Sequence, residues 1–431
     1  MLLTTEKMIM PNVELRCIRT DKFKTALISV NFITPLSAKT VSKTKLLPNV
    51  LLRGCVSHPD MQSLSLYLEE LYGTTLDFYI RKKGETLSMG VYAGFVDDDF
   101  LPKGENLLEK AASLLGEIVL SPVTRGGLLL SDYVESEKLN LIDKINAAKN
   151  DKTAYAVELL IEKMCANEAY GTPRFGTEAQ ISAINARSLT KFYRDVISSS
   201  KLVIQYCGSA APERVELAIL NAFSALPRRN VASLPATEVI YAPSGDVKTF
   251  EDHFDVVQGK LTMGFRLGEI QKTATKSALM VFNEIFGGSG NSKLFDNVRE
   301  KLSLCYYASS YIEDKKGLLI VYSGVDCKNF TAAYDEILAQ LEAIRNGDFT
   351  GKELEAAKAL VISNIKMRLD SPGGLEGQYF SAVLAEDEQT PDKLITQASL
   401  VTAEDIAAIA KSIWLDSVHY IKPNGGDTDE A

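Results

Sequence analysis

At 431 residues the chain exceeds one ordinary hydrophobic core and calls for two to four units of roughly 100–200 residues each. Apolar residues make up 46% and charged residues 24%, a globular composition, while the net charge of −9 argues against nucleic acid or an anionic membrane as the main partner. No stretch approaches the ~20 apolar residues of a membrane span, and the start, MLLTTEKMIMPNVEL, lacks the basic and apolar regions of a signal peptide.

The six cysteines (Cys17, Cys55, Cys165, Cys207, Cys305, Cys327) form no C-x-x-C pair, so a disulfide framework or cysteine zinc site is not expected. Reduced thiols and a cytoplasmic location are the expectation.

The first clear element is TLDFYIRKKGETLSMGVYAG from Thr75, where alternation on both sides of Lys82-Lys83-Gly84 predicts a hairpin. Glu135–Met164 then reads as a long helical pattern interrupted near Asn150-Asp151. A short helix, SLTKFYRDVI, and a strand, KLVIQYCG, follow. The stretch LPRRNVASLPATEVIYAPSGDVKTFEDHF, rich in Pro, Ser and charge, reads as a joint.

Beyond the joint the scheme recurs. CYYASSYIEDKKGLLIVYSGV predicts a second hairpin around Lys315, Lys316 and Gly317, and a helix from Glu355 is interrupted near Asp370-Ser371-Pro372. The helix AEDIAAIAKSI and the strand SVHYIKP close the series. The hairpins lie 233 positions apart and the helices 220, so the copies differ by insertions. The expected fold is therefore α+β: two tandem copies of one domain, residues 1–225 and 226–431, each an antiparallel-rich sheet packed with helices.

FGGSGNSKLF, from Phe286, resembles a phosphate loop at first sight. A Walker A loop needs G-x-x-x-x-G-K-[ST], and neither Gly-Lys pair, at Gly259 and Gly351, has a glycine five positions earlier. A dinucleotide fingerprint needs G-x-G-x-x-G after a strand, whereas KSALMVFNEIF reads as a helix. The nucleotide reading fails. The glycines end one helix, and Ser289, Asn291 or Ser292 can cap the next.

Those residues also carry a resemblance. IFGGSGNSKLFDNVREKLSLCYYASSY is similar to the second-domain signature of the insulinase-like (inverzincin) zinc peptidases, which include the mitochondrial processing peptidase. EAYGTPRFGTEAQISAINARSLTKFYRDVI, from Glu168, resembles the first-domain pattern, and duplication is also the family's architecture. The resemblance covers nearly the whole chain and implies the processing-peptidase fold.

The family's chemistry comes from H-x-x-E-H on a first-domain helix, with zinc on both histidines and a downstream glutamate. This chain has three histidines, His58, His253 and His419, none paired at helical spacing. Set against KLLPNVLLRGC, the two His positions fall on Lys45 and Asn49, the Glu on Pro48, and the downstream ligand near Lys144. No metal is expected in this chain. His58-Pro59-Asp60 reads as a turn opening the next helix, and His253 and His419 as strand-edge residues without catalytic work.

In active members an Arg and a Tyr seven residues later reach the facing zinc domain, the Arg holding substrate backbone and the Tyr hydroxyl donating to the scissile carbonyl. Arg299 and Tyr306 have that spacing. Without the family, Arg299 is a solvated charge beside Glu300 and Tyr306 a half-buried strand residue beside Cys305. The loop residues Gly287, Gly288, Ser289, Gly290 and Asn291 would form a flexible substrate-facing segment.

The resemblance implies a catalytically inactive, half-size bacterial subunit that forms a clamshell heterodimer with an H-x-x-E-H paralogue and encloses a peptide. Such chains are known in Gram-positive bacteria in connection with elongation factor P modification. Zinc is then the partner's cofactor, with Arg299 and Tyr306 lent in trans and the peptide held by strand addition. The alternatives are an assembly scaffold, or a stand-alone peptide-binding protein that is a monomer or homodimer. An active homodimeric peptidase is argued against by the missing ligands.

Overall fold

The computed structural model describes residues 3–229, 233–387 and 389–424. In chain order the first elements are Leu3–Met10 (β1), Val13–Arg19 (β2), Thr25–Pro35 (β3), Val41–Leu51 (α1) and Met61–Glu70 (α2). The hairpin Thr75–Lys83 (β4) and Thr86–Val96 (β5), the helix Leu107–Leu120 (α3) and a small ribbon, Thr124–Arg125 (β6) with Leu128–Leu129 (β7), follow. Then come Ser131–Ala148 (α4), Lys152–Met164 (α5), Glu178–Ser182 (α6), Ala186–Ser199 (α7), Lys201–Gly208 (β8) and Pro212–Ala222 (α8).

The second half runs Lys248–Phe254 (β9), Gly259–Arg266 (β10), Lys276–Asn283 (α9), Cys305–Glu313 (β11), Leu318–Val325 (β12) and Phe330–Arg345 (α10). Gly351–Arg368 (α11), Pro372–Ala385 (α12), Pro391–Leu400 (α13), Ala403–Ser412 (α14) and Trp414–Pro423 (β13) complete it.

The first sheet has the order β1-β2-β8-β3-β5-β4 and the second, read from its parallel edge, β9-β13-β10-β12-β11. Without β1 the two orders correspond strand for strand. Each has one parallel pair, β2 with β8 and β9 with β13, and is otherwise antiparallel. Alternation builds the cores. Ile28, Val30 and Phe32 of β3 face the helices of their unit, as Leu261, Met263 and Phe265 of β10 do in theirs.

The compact units are not the contiguous halves 1–225 and 226–431. One comprises Met1–Ile145, Arg174–Ala236 and Arg368–Asp387; the other comprises Asn146–Pro173, Thr237–Met367 and Glu388–Ala431. The boundary between the halves lies at Ala236/Thr237, and each half gives the other a segment carrying one helix. The reason is burial: each sheet has a second face, and the donated helix covers it. On the first sheet, Phe380, Val383 and Leu384 of α12 pack on Ile33 and Val203. On the second, Leu160 and Met164 of α5 pack with Leu318 and Ile320. Each such aliphatic or aromatic side chain is worth roughly 1.5–3 kcal/mol when fully buried.

The expected helix breaks are the points where the chain crosses between units. Asp151 caps α5 through the Thr153 and Ala154 N–H groups (3.2 and 3.0 Å). Ser371 caps α12 through the Gly374 N–H (3.0 Å), with Pro372 at the first helical position, where it lacks no needed donor.

Polar locks fix both donated helices. Glu376 of α12, 1% exposed, accepts hydrogen bonds from Arg81, Tyr79 and Ser29. The segment after α5 brings Glu168 to Arg266 (2.7 Å) and Lys316 (2.7 Å), and Arg266 also binds Asp416 (2.9 Å). Two cations thus meet two carboxylates, the pairing that makes buried charge tolerable.

Candidate functional site

In the first unit the zinc-motif positions lie on α1. The Lys45 ammonium stands 5.5 Å from the Phe175 ring centroid. Pro48 is buried and offers no side-chain donor atom, and the Asn49 amide donates to the Lys45 carbonyl oxygen (2.9 Å). Lys144 is an exposed residue on α4, two turns beyond Glu137. Glu137 and Ser136 are held by Arg53 from the end of α1 (both 2.6 Å). An ammonium, a proline, an amide and a second ammonium do not fit zinc, which takes thiolate, imidazole or carboxylate. No group of three or more His, Cys, Asp or Glu among the described residues could hold a metal ion.

The three histidines are dispersed. His58 stacks on Tyr67 at 4.2 Å, and Asp60 caps α2 in a capping box, as the turn reading expects. His253 lies on the outer strand β9, bound to Glu251 (3.0 Å). His419 is not a strand-edge residue. It is fully buried on β13, between β10 and β9, with its Nε2 2.9 Å from Asp252 Oδ2. Burial lowers its basicity, and the Asp252 hydrogen bond and charge only partly restore it. The Lys163 ammonium of α5 binds the same carboxylate (2.7 Å), so this histidine helps dock the donated helix.

In the second unit α9 continues into a π-helical turn, Glu284–Gly288, and a second π-helical stretch, Leu294–Lys301, follows the loop. Such turns are rare and often mark functional sites. The loop is firmly built at its start. Gly287 is buried, and a Cβ there would stand 2.6 Å from Ser310 Oγ and 2.7 Å from Leu294 Cδ1. Gly287 is therefore a packing residue, buried where the sequence reading expects a substrate-facing position. The Ser289 hydroxyl donates to the Glu284 carbonyl (3.0 Å), and Ser292 caps the following helix through the Phe295 N–H (3.3 Å). Gly288, Gly290 and Asn291 are at the surface. Sequence reading missed Asn283, which exchanges hydrogen bonds with Ser310 of β11 and ties the loop to the sheet.

Arg299 lies in the second π-helical stretch. Its side chain is 41% exposed, its guanidinium 4.7 Å from the Phe295 ring centroid and its Nε 3.5 Å from Glu300. Tyr306 is the second residue of β11 and is 65% exposed, not half-buried. The register explains this: Cys305 pairs with Val325 and Tyr307 with Gly324, leaving Tyr306 as the extra residue of a bulge that re-aims its ring toward solvent. Arg299 lies close enough for its charge to act on the neighbouring Cys305 thiol, which burial otherwise pushes up. Arg299 and Tyr306 thus flank one end of the second sheet.

The description "Peptidase M16 inactive domain" matches residues 183–361. The chain is 36% identical over 410 residues to the "Probable inactive metalloprotease YmfF" of Bacillus subtilis, covering 95% of each. The chain belongs to the M16 peptidase family. A second B. subtilis protein, the "Uncharacterized zinc protease YmxG", is 23% identical over 299 residues, 68% of this chain and 71% of that one. A conserved protein from Enterococcus faecalis V583 superposes with a TM-score of 0.90 at 28% identity, covering 98% of this chain and 99% of that one. Membership accounts for the paired sheets. No helix among the described residues is long and apolar enough to cross a membrane.

Proposed function

We propose that the chain is the non-catalytic subunit of a zinc-peptidase-like heterodimer. It binds peptide and lends Arg299 and Tyr306 to the zinc site of an H-x-x-E-H paralogue. One contrast carries the reading: the zinc positions hold side chains that cannot bind zinc, while Arg299 and Tyr306 stand exposed at one end of the second sheet. The Tyr306 ring, turned out by the bulge, is free to offer its hydroxyl to a carbonyl oxygen gaining negative charge, and Arg299 to hold peptide backbone carbonyls. That relatives of this chain include proteins named as zinc proteases, such as YmxG, is in keeping with a zinc-bearing partner.

The test is peptide cleavage by the chain, by its nearest H-x-x-E-H paralogue from the same genome, and by the mixture. Activity confined to the mixture and cut about 10²–10³-fold by Tyr306→Phe is the expected result, the usual cost of losing one oxyanion donor. A mixture no more active than the paralogue, or one indifferent to Tyr306→Phe and Arg299→Ala, would leave the scaffold reading in its place.

A further inference from the structure

The end of the second sheet that carries Tyr306 also carries a cation that neither the zinc motif nor the Arg–Tyr pair accounts for. Gly324 of β12 pairs with Lys260 of β10 on one side and with Tyr307 of β11 on the other. Lys260 and Tyr307 are thus two strand spacings apart, about 10 Å between Cα atoms. The Lys260 ammonium reaches back across that gap to 5.3 Å from the Tyr307 ring centroid. Gly324 lets the Tyr307 ring and the Gln258 side chain lie directly over the middle strand: a Cβ there would stand 2.6 Å from Tyr307 Cε1 and 2.9 Å from Gln258 Oε1.

The donors in this gap outnumber their acceptors. Three other lysines of this unit hold carboxylates: Lys163 on Asp252, Lys293 on Glu353 and Lys316 on Glu168, at 2.7–2.8 Å. Lys260 has no carboxylate within ion-pair distance among the described residues, and its side-chain acceptor is Gln258 Oε1 at 3.4 Å. The nearest acidic influence, Asp151, spends its Oδ1 on capping α5. The Gln258 amide nitrogen is buried and bonds nothing among the described residues. The Tyr307 hydroxyl is engaged with Thr153 Oγ1 (2.7 Å), which fixes the ring beneath the ammonium. Desolvation weakens the ammonium's hold on its proton, a shift that an anion brought beside it would oppose.

We propose that Lys260, with Gln258 and Tyr307, forms a carboxylate-binding subsite for the peptide, one residue along β11 from Tyr306. The assignment rests on the peptide-binding reading above and adds a specificity to it. A carboxylate would accept from the ammonium and the Gln258 amide, while the Tyr307 ring, seated over Gly324, forms one wall of its approach. Its source is an acidic side chain or a peptide's own C-terminus.

The test is fluorescence anisotropy on the full chain with three labelled peptides of one length. One carries a single Glu and an amidated end, one Gln and an amidated end, and one Gln and a free C-terminus. At least one carboxylate peptide should bind about tenfold or more tightly than the neutral one, as a charge-assisted hydrogen bond implies. Lys260→Met should erase the preference and Lys260→Arg retain it, with thermal midpoints confirming that both variants fold. Preference for the Glu peptide assigns a side-chain carboxylate; preference for the free terminus assigns the chain end. Equal binding of all three peptides by the wild type overturns the subsite and leaves peptide binding standing. No binding of any peptide overturns both.

Discussion

Lys316→Met is the sharpest probe of how the donated segment Asn146–Pro173 is held. Lys316 and Glu168 are 0% and 3% exposed and pair at 2.7 Å, and Lys316 also donates to the Glu238 carbonyl. Burial alone would push the Glu168 carboxyl up, but the hydrogen bonds and charges of Arg266 and Lys316 outweigh it and hold it below its ordinary value. Methionine keeps the length and removes the charge, leaving two carboxylates to share one guanidinium. Stranding a buried charge costs about 3–5 kcal/mol. At roughly 2–4 °C per kcal/mol for a unit of this size, the thermal midpoint should fall by about 6–20 °C. Circular dichroism melts and urea titrations would read it. Glu168→Gln with Lys316→Met should cost less than the two single losses added together, because the pair then leaves as one neutral unit. A midpoint moved by only a degree, or strictly additive losses, would refute the claim that this buried pair secures the segment.

Acid should loosen the second unit through His419. Its folded basicity is depressed by burial, so its stabilising contribution is present above the ordinary value of 6.5 and is lost as pH falls from there through the lower folded value. His419→Gln should flatten the midpoint-versus-pH curve in that window; an unchanged slope would count against it. Glu284 runs the other way: burial raises its carboxyl above 4.5, and Oε2 has no partner among the described residues, so its penalty appears as pH rises past that point. Glu284→Gln should therefore stabilise the protein at pH 8 and do little at pH 4, again read by thermal midpoint. In the loop, Gly287→Ala should cost about 1–3 kcal/mol in urea titrations by forcing Ser310 and Leu294 apart, while Gly290→Ala, with open space around it, should be near neutral. Equal effects at the two glycines would contradict the packing described for the loop.

Much of the fold was legible because local signals agreed with one another. The two Lys-Lys-Gly hairpins, the breaks at Asp151 and Ser371 and the strands ending each copy all stand where alternation, capping and proline place them. What contact patterns alone reveal is that those breaks are crossings between units: a capped interruption in a helix reads the same whether the next turn packs at home or on the other copy's sheet. Arg299 and Tyr306 were singled out by the family resemblance, but the exposure of Tyr306 was not foreseen, since a bulge is a matter of register between β11 and β12. His419 was misplaced because alternation gives the face of a strand and says nothing of which strands flank it. Lys260 carries no signal in sequence at all. Its meaning comes from a glycine on one neighbouring strand and a tyrosine on the next.

The zinc-motif positions and the Arg299–Tyr306 pair differ in what else holds them in place. Lys45, Asn49 and Pro48 have been absorbed into α1: the ammonium has a ring to rest on, the amide a carbonyl, and the proline a buried site. Nothing there asks for a ligand. Tyr306 is the reverse case, a large ring 65% exposed at a bulge, where burial would have returned roughly 25 cal/mol per Å² of apolar surface. A smaller or more polar residue would serve that position at least as well if stability were the only demand. The exposure is thus most simply explained by something that covers the ring when it arrives, and the neighbouring Lys260 sets the charge that visitor should carry. On the proposed reading, a partner's zinc domain with a carboxylate-bearing peptide would satisfy both, whereas a purely structural scaffold would give no reason for the donors at this end of the sheet to stand unmet.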